Sequence, residues 1–135
     1  MVLEDNLLTR HAISEALRHD GFRVLEAYNA AEAMDLLRTA PVDVLFADLN
    51  LPSDDEGLIA ALYAQIQQPG VKVILTSARR REEDGRLDDD FGPFVPKPYL
   101  IATVVELIRD HARRRSAERA LRSHPVGLPP ILWSD

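Results

Sequence analysis

Val42-Asp43-Val44-Leu45-Phe46-Ala47-Asp48 is a short, mostly apolar run that begins after Pro41 and stops at a carboxylate. Such a run reads as a strand covered on both faces, the kind found inside a parallel sheet. Working outward, the same pattern recurs on either side. Met1-Val2-Leu3, Phe22–Ala27, Val71–Leu75 and Phe94-Val95 are the other strand candidates. Leu8, Ala12, Ile13, Ala16 and Leu17 mark a first helix closed by Gly21; Asn29 caps a second whose stripe is Ala30, Ala33, Met34 and Leu37. Leu58, Leu62 and Ile66, with Ala61 and Tyr63 beside them, mark a third helix that Pro69-Gly70 ends. From Ala78 to Asp90 only Leu87 is a large apolar residue, so a helix there is weakly anchored. Leu100, Val104, Leu107, Ile108 and Ala112 mark the last helix, expected to continue through Arg113–Arg122. Five β/α units in succession define an α/β domain with a parallel sheet.

The chain has 135 residues, 46% of them hydrophobic and 28% charged, enough for one domain with a core that needs no cross-links. Absence of cysteine removes disulfides, thiolate metal sites and thiol nucleophiles. No apolar run approaches a membrane span, and the first residues lack the basic and apolar regions of a signal peptide, so a cytoplasmic protein without membrane contact is expected. Residues 1–70 carry 4 basic and 12 acidic side chains, and residues 71–135 carry 12 and 10, for an overall charge of −6. That balance disfavours direct nucleic-acid binding. Arg79-Arg80-Arg81 and Arg113-Arg114-Arg115 lie among acids and read as solvated helix faces. The four histidines, His11, His19, His111 and His124, form no ligand pattern and read as surface residues. After residue 115 the remaining twenty residues make a helix extension and a Pro/Trp-containing tail. Its apolar part, Val126–Trp133, is either a frayed terminus or a segment docked on this domain or on a second copy.

Ligands of open parallel sheets bind outside the carboxyl ends of the strands. The residues leaving four separate strands here are Glu4-Asp5, Asp48, Thr76 and Lys97. Three carboxylates in one crevice repel each other unless a cation lies among them, and a hard divalent ion with oxygen ligands answers that need. Asp48 is then the nucleophile candidate toward phosphorus. Lys97 and the Thr76 hydroxyl are placed to meet phosphoryl oxygens. Taken singly, each residue has an ordinary explanation: a loop cap, a backbone partner, a surface charge. Together, at successive strand ends, they point to phosphoryl chemistry.

Four segments carry a resemblance: Leu3-Glu4-Asp5-Asn6, Val44 to Pro52, Val73-Ile74-Leu75-Thr76-Ser77-Ala78 and Phe94-Val95-Pro96-Lys97-Pro98-Tyr99. In this order and at these intervals, residues 1–115 resemble the response-regulator receiver domain of two-component signalling. The resemblance implies a flavodoxin-like, doubly wound five-stranded parallel sheet of order 2-1-3-4-5 with helices on both faces. It implies Asp48 as the phosphoacceptor, and Mg2+ or Mn2+ held directly by Asp5, Asp48 and the Asn50 backbone carbonyl, with Glu4 acting through water. It further implies a cis Lys97–Pro98 peptide, and a switch in which phosphorylation draws Thr76 inward while Phe94 turns. As an ordinary alternative, Phe94 is a core residue. Departures from the family pattern are a short opening strand, which raises an internal start at Met1, a longer loop Ser53–Gly57, and the polar stretch Arg79–Asp90.

The function expected is a stand-alone signalling domain rather than an enzyme: a histidine kinase phosphorylates Asp48 and the phosphorylated form binds a downstream protein. Two alternatives stay open. One is a relay intermediate that passes the phosphoryl group to a histidine phosphotransfer protein; the other is a phosphate-independent interaction module, with a homodimer through the last helix and tail. A phosphatase acting on external substrates lacks a second acid for the leaving group, and no Gly-rich loop supports nucleotide binding.

Overall fold

The computed structural model describes residues 1–51, 55–78 and 91–123. Expectations for the segment 79–90, for Ser53 and Asp54, and for His124 and the tail fall outside them. Five strands, β1 (Val2–Leu3), β2 (Glu26–Ala27), β3 (Val44–Asp48), β4 (Lys72–Ser77) and β5 (Phe94–Pro96), pair in parallel in the order β2-β1-β3-β4-β5. The described helices are α1 (Leu7–His19), α2 (Ala30–Thr39), α3 (Glu56–Gln67) and α4 (Ile101–Ser123). This is the doubly wound order that the family resemblance implies. Strand β2 is shorter than the Phe22–Ala27 run because β1 begins only at Val2, whose N–H takes the Leu25 carbonyl at 2.8 Å. Earlier residues of that run have no ladder partner to meet.

β3 is buried at all five positions and divides its side chains between two layers. Leu45 and Ala47 join Leu3, Val73 and Leu75 under α2 and α3; Phe46 joins Val2, Ile74 and Val95 under α1 and α4. Asn6 and Asn29 cap α1 and α2, their side-chain carbonyls accepting from Thr9 N–H at 3.0 Å and Glu32 N–H at 2.8 Å.

In three helices the buried face departs in part from the expected one, although Ile13, Leu17, Val104 and Ile108 are buried as expected. In α3 the buried residues are Gly57, Ala60, Ala61 and Ala64, whereas Leu62 and Ile66 are exposed and Leu58 is half-buried. Close approach explains the reversal: a Cβ on Gly57 would stand 2.6 Å from the Asp48 carbonyl oxygen, so only small residues fit against the sheet. In α1 the contact stripe is Ile13, Ser14 and Leu17, and Leu8 and Ala12 face outward. α4 continues through Arg113–Arg122 as expected, yet His111 and Arg115 are buried rather than solvated. His111 Nδ1 lies 2.8 Å from the Leu107 carbonyl, and Arg115 Nη2 donates to the Pro69 carbonyl at 3.3 Å.

The edge where the strands begin is densely tied. Gln68 donates to the Leu37 and Ala40 carbonyls at 2.9 and 2.6 Å and accepts from Val42 N–H at 2.6 Å, joining the end of α3 to the turn before β3. Lys72 pairs with Glu118 at 2.6 Å and Arg119 with Asp43 at 2.5 Å, fastening the extension of α4 beneath β3 and β4. The Met1 amine donates to the Val44 carbonyl at 2.7 Å, and burial pushes its pKa down to about 5.

Candidate phosphoacceptor site

At the opposite edge the strand ends deliver the expected residues. Glu4 and Asp5 follow β1, Asp48 is the last residue of β3, Thr76 sits opposite Asp48 in β4, and Lys97 follows β5. Carboxylate oxygens of Glu4, Asp5 and Asp48 all lie within 4.8 Å of one another; Glu4 and Asp48 are buried and Asp5 is exposed. They line a cavity of about 560 Å³ together with Asn50, Lys97 and Tyr99. Thr76 is a residue inside β4, not one leaving it.

Asp48 is 1% exposed and held from two sides. Lys97 Nζ donates to Oδ2 at 2.7 Å and the Asn50 N–H to Oδ1 at 2.8 Å. The Asn50 side-chain carbonyl accepts from Ala78 N–H at 2.5 Å, which ties the loop after β3 to the end of β4. The Lys97–Pro98 peptide is cis, as the resemblance implies.

Glu4 is the group under greatest electrostatic load. Burial first, then the close Asp48 carboxylate, pushes its carboxyl up to about 8, with Lys97 pulling the other way. Its Oε1 accepts from Asn6 N–H at 3.3 Å, while Oε2 is buried without a partner. Three carboxylates at this spacing, one with a buried oxygen unpaired and its acid pushed toward the neutral form, are the donor set that a hard divalent cation fits. Thr76 Oγ1 is likewise buried without a partner beside Asp48, as a donor kept for a later ligand would be. Phe94 lies across from Leu75, one residue before Thr76, and packs half-buried against the layer under α2 and α3.

Two contributors were given no role by the sequence reading. Arg10 Nη1 donates to the Glu4 carbonyl at 2.8 Å and its Nε to Glu26 at 3.3 Å, which fixes the backbone that aims Glu4 and Asp5. A lone cation in the first turns of α1, six and five residues after Glu4 and Asp5, is the only hint. Tyr99 stands edge-on to Phe46, ring centroids 5.9 Å apart, with its hydroxyl buried and unpartnered.

Residues 1–109 match the family described as the response regulator receiver domain. The chain belongs to the response-regulator receiver family. Among solved structures, this receiver is similar to a CheY-like receiver domain protein from Methanospirillum hungatei JF-1, with 21% identity and a TM-score of 0.77 over 87% of this chain and 94% of that one. A response regulator from Thermotoga maritima matches at 25% identity and a TM-score of 0.71, covering 84% and 95%. The transcriptional regulatory protein PhoP of Escherichia coli strain K12 is 30% identical over 133 residues, which is 97% of this chain and 58% of PhoP. The receiver therefore spans less than two thirds of that regulator's length. Among the described residues, no helix is long and apolar enough to cross a membrane.

Proposed function

We propose that this receiver accepts a phosphoryl group on Asp48 from the phosphohistidine of a histidine kinase and signals by a change in protein binding. The observation that supports it most is Asp48 itself, buried between the Lys97 ammonium and the Asn50 amide and faced by two further carboxylates. An Asp48 oxygen attacks phosphorus, the P–N bond breaks, and the imidazole leaves with the electron pair. Water later cleaves the acyl phosphate, returning the carboxylate and inorganic phosphate. Asp5, Asp48 and the Asn50 carbonyl would hold Mg2+ or Mn2+, with Glu4 acting through water, and the bound ion supplies positive charge against the carboxylates and the phosphoryl oxygens. Lys97 neutralises a second oxygen and Thr76 donates to a third, which is most of what phosphoryl transfer asks of a protein. Thr76 moving inward toward the new group then frees space beside Phe94, whose ring carries the change to the surface. A Burkholderia pseudomallei response regulator of the same fold, 23% identical with a TM-score of 0.70, was solved with a phosphorylated aspartic acid and a calcium ion, which supports the analogy.

Intact-mass measurement after incubation with acetyl phosphate tests the proposal. Wild type gains one phosphoryl group with Mg2+ and none in EDTA, and Asp48→Asn gains none. Labelling of Asp48→Asn, or no labelling of wild type, overturns it.

A further inference from the structure

Three buried polar atoms near the acidic crevice lack partners: Glu4 Oε2, Thr76 Oγ1 and the Tyr99 hydroxyl. Buried polar atoms are nearly always paired, so each calls for a reason. Glu4 has one in the cation and Thr76 in the phosphoryl group. Tyr99 has none, and a phenylalanine would fill the same apolar space against Phe46 without burying a hydroxyl.

Position supplies the reason. Tyr99 comes two residues after Lys97 and lines the same cavity as Glu4, Asp5 and Asp48. Its ring packs on Phe46, two residues before Asp48 on the same strand, so the aromatic contact and the carboxylate share one face of β3. Burial first, with Glu4 and Asp48 near enough to add to it, pushes the phenol up to about 12, so it stays a donor across the physiological range. Lys97 Nζ and the Asn50 N–H donate to Asp48 and the Asn6 N–H donates to Glu4 Oε1, while Glu4 Oε2 has no donor.

We propose that the Tyr99 hydroxyl is a positioning group for Glu4, donating to Oε2 across one cavity water and so orienting the carboxylate that faces the cation. This rests on the cation reading of the site. Carboxylates around a metal are themselves held by outer hydrogen bonds, whose loss typically weakens metal binding about 10- to 100-fold. A donor acting through water falls at the low end of that range.

The test uses the full chain and Mn2+, with free ion counted by electron paramagnetic resonance. Tyr99→Phe raises the Mn2+ Kd about tenfold, while its thermal midpoint in EDTA stays at or above that of wild type, because only an unpaired hydroxyl is removed. In a Glu4→Gln background the same substitution leaves the Kd unchanged. Equal Mn2+ binding by wild type and Tyr99→Phe overturns the inference, as does an undiminished effect in the Glu4→Gln background. A lower midpoint in EDTA assigns Tyr99 to the core and also overturns it. A wild type that takes up no Mn2+ overturns the cation reading, and this inference with it; the other failures leave that reading standing.

Discussion

Where the strands begin, Gln68 satisfies three backbone groups, Lys72 and Arg119 close ion pairs to opposite partners, and even the Met1 amine has an acceptor. Where the strands end, two buried carboxylates face each other, and hydroxyls on Thr76 and Tyr99 go unpaired. The same sheet carries both edges. One is completed by the chain's own groups; at the other, among the described residues, buried polar atoms are left over. Stability and chemistry are thereby separated to opposite ends of parallel strands, with Arg115, two of whose nitrogens are unpartnered, the exception at the tied edge.

Gln68→Ala presses hardest on the contrast. It leaves two carbonyls and an amide without their partner and should lower unfolding free energy by about 2–4 kcal/mol in urea titration, while the folded fraction still takes up phosphoryl from acetyl phosphate. An unchanged urea midpoint would show that the tied edge is not where the fold is held. Glu4→Gln sharpens the other side. A Glu whose folded value is raised from 4.5 to about 8 binds more protons folded than unfolded between those limits, so its contribution is full below 4.5 and is lost as pH rises toward 8. The Met1 amine, lowered from 8.0 to about 5, works in the opposite sense over the same window, so wild type alone need show no slope. The difference between the two proteins isolates Glu4: without divalent cation, Glu4→Gln should match wild type near pH 4.5 and exceed it by about 2 kcal/mol at pH 8. A pH-independent difference would remove the electrostatic load from Glu4. The smallest effect is expected from Arg119→Ala, which opens a half-exposed pair with Asp43 and should cost under about 1 kcal/mol, shrinking further in high salt. A loss comparable to that of Gln68→Ala would mean that the end of α4 holds the domain together more than its exposure implies.

The strands and their terminal residues were legible because both depend on short-range pattern, whereas the sheet order came with the family resemblance. An apolar run halted by Asp48, and three similar runs ending near Glu4, Thr76 and Lys97, already locate a crevice once the strands are parallel. Side-chain direction in the helices was less so. Sequence patterns weight large apolar residues, yet α3 sits so near the Asp48 carbonyl that Gly57 and three alanines take the inner face and Leu62 and Ile66 the outer. Arg115 and Gln68 look like surface residues until the backbone that they satisfy is brought to them by the fold. Tyr99 was visible inside its motif and without a task, since an orphaned hydroxyl is a property of the packed state.

Helix α4 starts two residues after Tyr99, beside the crevice, and its 23 residues make a rod about 34 Å long that passes the Arg119–Asp43 pair before reaching Ser123. A protein seated over Asp48 and another gripping the chain near Ser123 are thus kept apart by the depth of the whole sheet.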